Sequence, residues 1–104
     1  SVPPDNVSLN GQYSEDLNNQ AKQYILDMCN SYGFAHEVEV LMAGREGSNH
    51  PYRSDARRVM EYVDAVWNVY VNVMNEIRQT REDTLKSFEE YSSQIPTPRK
   101  AQTN

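Results

Sequence analysis

Residues 54–77 read SDARRVMEYVDAVWNVYVNVMNEI, and the periodicity of that stretch decides the fold. Ala56, Met60, Val63, Trp67, Tyr70, Met74 and Ile77 recur at steps of four and three, flanked by Val59, Val66 and Val73 seven residues apart. Such spacing places them on one stripe of an α-helix. The rival is a strand through Val69-Tyr70-Val71-Asn72-Val73, whose β-branched residues at alternate positions suit a sheet. Length decides, because strands rarely exceed about 10 residues and this stripe runs through the whole stretch. The pattern predicts a long central helix, with Ser54 as N-cap and Asp55 behind it. Trp67 lies in register on the stripe and is expected in the core rather than in a ligand site. Tyr62, Ala65 and Val69 widen the apolar surface, so this helix should be contacted on more than one side.

Upstream, Tyr13, Leu17, Ala21, Tyr24, Ile25, Met28, Cys29 and Tyr32 predict a first helix. Ser14 is its candidate N-cap, Glu15 and Asp16 suit its positive end, and Gly33 can take the left-handed conformation that stops it. Phe34, Val38, Leu41 and Met42 continue a three-four pattern to Gly44, which favours a short second helix over the strand suggested by Val38-Glu39-Val40. Residues 45–53 combine Gly, Ser, Asn and Pro and form the main loop. Downstream, Leu85, Phe88, Tyr91 and Ile95 predict a last helical stripe with Asp83 or Thr84 as cap. Whether the central helix breaks near Asp83 stays open. The pairs Glu82/Lys86 and Lys86/Glu90 would support continuity by only ~0.2 to 0.5 kcal/mol each. Pro96-Thr97-Pro98 ends the pattern.

The expected fold is all-α: a small three- to four-helix bundle around the long central helix. Residues 1–12 are expected to be a flexible arm, 13–96 a single helical domain and 97–104 a flexible tail. A chain of 104 residues with 38% hydrophobic residues supports one modest core and leaves no room for a two-domain enzyme.

The net charge of −5 is unevenly placed. Residues 1–50 hold seven acids against two bases, whereas residues 51–104 hold eight of each. A duplex binder carries a basic stripe, so direct nucleic-acid binding is not expected. Arg53, Arg57 and Arg58 are interleaved with Asp55, Glu61 and Asp64 and read as a mixed solvated face. Neither a long apolar run nor a leader-like opening is present in the sequence, so no membrane partner is expected. The lone Cys29 points to a reducing compartment.

Residues able to carry chemistry are scattered along the chain. Cys29, His36 and His50 lack zinc spacing, and neighbouring Glu37 and Glu39 read as an acidic surface stretch. Glu82-Asp83 and Glu89-Glu90 sit side by side on a helix surface and do not converge as an acid-base pair would. Phosphate-binding glycine loops and nucleophile elbows are missing from the sequence. No catalytic residue, metal, cofactor or small-molecule substrate is expected.

Tyr32-Gly33-Phe34, Met42-Ala43-Gly44, Pro51, Tyr62-Val63-Asp64-Ala65-Val66-Trp67 and Ser87-Phe88-Glu89-Glu90 through Ile95-Pro96 together resemble a family of small bacteriophage tail-associated proteins. The similarity spans about residues 21–96, and Trp67 matches the second tryptophan of the family's helical motif. The resemblance implies a non-enzymatic tail or fibre assembly factor. Such a protein would work by helix-mediated contacts with a tail or fibre chain, or with itself, in the host cytoplasm or the virion tail. Tyr62, Val69 and Tyr91 are the expected interface. The alternative is an acidic inhibitor of a host defence nuclease, for which the charge of residues 1–50 would occupy a basic channel.

Overall fold

The computed structural model describes residues 8–99, which are helical with no strand among them. The helices are α1 (Leu9–Ser31), α2 (Glu37–Gly44), α3 (Arg53–Gln79) and α4 (Phe88–Ser92), with a 3-10 turn at Glu82–Thr84. Both α1 and α2 pack on α3, and α4 packs on α1. The long central helix is therefore the spine of a small bundle. Its buried face is Ala56, Val59, Val63, Val66, Val73 and Ile77, opposed by Leu17, Ala21, Ile25, Met28 and Cys29 of α1. The valine row lies at the centre of that face. Met60, Trp67 and Met74, expected on the central seam, fall at its edge and are only half-buried.

The first helix starts four residues before the expected Tyr13, inside the segment expected to be a flexible arm. Ser8, not Ser14, is its cap: Ser8 Oγ accepts from Gly11 N at 3.1 Å, while Ser14 Oγ donates to Asn10 O within the helix. The extension is held by tertiary contact. Asn10 Nδ2 donates to the carbonyls of Ile77 (2.8 Å) and Thr80 (2.9 Å) at the end of α3, where Ile77 O also accepts from Thr80 N at 3.2 Å. The rest of the expected arm, residues 1–7, lies outside the described residues.

Helix α1 stops as its sequence requires. Gly33 adopts φ 86°, Phe34 N donates to Cys29 O at 2.9 Å, and Gly33 N donates to Asn30 O at 3.0 Å, the paired bonds of a Schellman turn. Ser54 is not the cap of α3, which begins at Arg53 after Tyr52 without a side-chain cap. The open question near Asp83 resolves as a break after Gln79, and Ser87 caps α4 in place of Asp83 or Thr84, its Oγ accepting from Glu90 N at 3.2 Å. Lys86 pairs with Glu76 at 3.3 Å rather than with Glu82 or Glu90.

Beyond α4 the chain crosses back over α1 and α3 as a strap. Gln20 and Ser92 exchange two hydrogen bonds, Tyr62 OH donates to Pro96 O at 2.7 Å, and Ser31 Oγ, whose proton goes to Met28 O at 2.8 Å, lies 3.3 Å from Arg99 O. Of the expected tail, Thr97 and Arg99 are exposed and Pro98 is partly buried; residues 100–104 lie outside the described range.

Candidate functional site

Helix α2 has the sequence EVEVLMAG, apolar on nearly every side. A helix of that kind must either be buried all round or show apolar surface to something else. It is covered on one side only. Val40, Ala43 and Gly44 are buried against α3, whereas Val38 is 63%, Leu41 46% and Met42 56% exposed. Of the three-four pattern Phe34, Val38, Leu41 and Met42, Phe34 is buried ahead of the helix, whereas Val38, Leu41 and Met42 point outward.

Gly44 explains the seating. A Cβ there would meet Met60 Sδ at 2.6 Å and Ala56 Cβ at 3.2 Å, so glycine lets the end of α2 approach the start of α3 closely. Arg57 Nη1 donates to Gly44 O at 3.1 Å and closes that end. The other end is capped by His36, whose Nδ1 accepts from Glu39 N at 3.2 Å. Glu37 and Glu39 then sit in the first turn, where the helix dipole favours anions.

Between α2 and α3 lies a groove of about 170 Å³ lined by Glu37, Val40, Leu41, Met60, Val63, Asp64 and Trp67. Trp67 stands edge-on to Tyr70, with ring centroids 5.5 Å apart. On the far side of α2, Glu39, Met42, Arg45 and His50 line a second hollow of about 490 Å³.

The expected interface of Tyr62, Val69 and Tyr91 is not brought together as a surface. Tyr91 is 1% exposed and packs edge-on to Tyr13 at 6.1 Å, so it belongs to the core. Tyr62 is half-buried and tied to Pro96 O, and burial pushes its phenol well above the ordinary range, helped by the charges of Tyr24 and Asp27. Val69 is half-buried against the core. Burial also raises the Cys29 thiol, with Glu37 adding to the effect.

His36 and His50 are both engaged in local turns, His50 Nδ1 accepting from Tyr52 N at 3.1 Å. Among the described residues no group of three or more His, Cys, Asp or Glu side chains could hold a metal ion, and no helix is long and apolar enough to cross a membrane. Sequence reasoning missed Leu41, Met42 and Val38 as surface residues. Their signal was the all-round apolar character of α2. No family model, curated protein or solved structure matches this chain.

Proposed function

We propose that this chain is a non-enzymatic interaction protein that docks a partner on the outer face of α2, as a structural or assembly factor of a bacteriophage tail or virion. One observation carries the reading: Val38, Leu41 and Met42 lie exposed together on a helix whose opposite side is buried. Leaving such side chains in water forgoes about 25 cal/mol for each Å² that a partner would cover. The sequence resemblance to tail-associated proteins supplies the biological setting.

The test is co-sedimentation with tail particles assembled from a bacteriophage genome that encodes this chain. Wild-type chain is expected to travel with the particles, and Leu41→Asp/Met42→Asp is expected to stay in the free fraction while keeping its helical circular dichroism. Absence of the wild-type chain from every particle fraction defeats the tail reading. Salt-reversible inhibition of a nuclease would instead support the acidic-inhibitor alternative, since screening strips charged contacts more than apolar ones.

A further inference from the structure

The α2–α3 groove has a chemistry of its own, and a partner seated in it rests on the interaction role proposed for this chain. Its floor is Leu41, Met60, Val63 and Trp67, and the ionisable side chains lining it are Glu37 and Asp64, both acidic. Neither carboxylate is in an ion pair among the described residues. Arg57, which shares the adjoining hollow with Met60, Glu61 and Asp64, donates to Gly44 O and keeps its positive charge there, so the acidic character of the groove is strongest toward Glu37.

The groove is also open at one end. Gly44 lies against Ala56 and Met60 while Glu37 shares the groove with Trp67, so α2 runs antiparallel to α3. At 1.5 Å per residue, α2 covers only about 12 Å of a helix about 40 Å long. Beyond Glu37 the same edge of α3 continues as half-buried Trp67, Tyr70 and Met74 with exposed Val71. An apolar lane with a carboxylate rim suits a helix bringing an apolar ridge flanked by cations. A second copy of this chain offers that rim no helix with an excess of cations, since even Arg53, Arg57, Arg58 and Arg78 of its α3 are matched by Asp55, Glu61, Asp64 and Glu76.

We propose that the α2–α3 groove docks a basic amphipathic helix of a partner chain, its apolar ridge seated between Leu41 and Trp67 and its lysines or arginines facing Glu37 and Asp64.

Trp67 is the one tryptophan in the chain and reports directly on the groove. Two stapled helical peptides without tryptophan serve as probes. One carries leucines at i, i+3, i+4 and i+7 flanked by lysines, and the other has glutamates in place of those lysines. The lysine peptide is expected to shift Trp67 emission to the blue and to saturate, and the glutamate peptide to bind at least about tenfold more weakly. Glu37→Lys/Asp64→Lys should reverse that order. Leu41→Asp should remove lysine-peptide binding with the circular dichroism unchanged.

Equal binding, no saturable shift, or a lysine preference that survives the charge reversal would overturn the proposal. So would a concentration-dependent dimer abolished by Leu41→Asp, which assigns the groove to a second copy. Particle co-sedimentation without any peptide preference leaves the interaction reading standing and removes this one. Peptide preference without particle co-sedimentation keeps this proposal and removes only the tail setting.

Discussion

At the scale of single residues, Tyr62 and Trp67 occupy opposite edges of the buried face of α3 and behave differently. Trp67 is only partly buried, so Trp67→Ala should cost less than the ~3 to 5 kcal/mol of a fully buried aromatic. Tyr62 is bound into the core by its hydroxyl. Its folded-state pKa lies above the ordinary 10.0, so below pH 10 the phenol is protonated in both states and its contribution is complete. As pH rises beyond 10.0 the unfolded chain ionises first, and stability falls. Tyr70, also raised by burial, acts in the same direction. Tyr62→Phe should cost about 0.5 to 1.5 kcal/mol at neutral pH by leaving Pro96 O without its donor, yet lose stability less steeply than wild type above pH 10. Urea unfolding across that pH range checks it, and parallel slopes would show that another group titrates.

At the scale of elements, each helix end tests a different source of order. Gly33 ends α1 through its own backbone freedom, which is why that stop was legible in the residue type. The start of α1 was not legible, because Asn10 is an ordinary arm residue until the carbonyls of Ile77 and Thr80 are placed beside it. Asn10→Ala should therefore destabilise two elements at once, by about 0.5 to 1.5 kcal/mol for each hydrogen bond lost, with Ile77 O keeping its bond from Thr80 N. Hydrogen exchange should show faster amides both in the first turn of α1 and near the end of α3. Acceleration confined to α1 would mean that Asn10 acts only within its own helix.

At the scale of the molecule, the strap after α4 decides whether the domain is one cooperative unit. Ile95 is 2% exposed although it follows the last helix, and the Pro96 carbonyl is held by Tyr62 of α3. Ile95→Ala should cost about 2 to 5 kcal/mol, a large share of the roughly 5 to 15 kcal/mol available to a small domain. The unfolding midpoint should fall with the m-value unchanged. A biphasic transition would show that the strap detaches separately.

What the sequence by itself determined was the helical class, the order of the helices, the long spine through Val59, Val66 and Val73, and the turn at Gly33. Those features arise from periodicity and from backbone conformation, both local properties. Tertiary structure alone decided the directions of the faces. Helix α2 is apolar nearly all round, so its periodicity could not say whether Val40 or Leu41 would turn inward until Gly44 met Ala56 and Met60. Tyr91, expected outside, was drawn in where α4 packs on α1 beside Tyr13, and Tyr62 where the strap returns over α3. Burial depends on which element arrives next to a residue, and that long-range fact is absent from the spacing of the residues themselves.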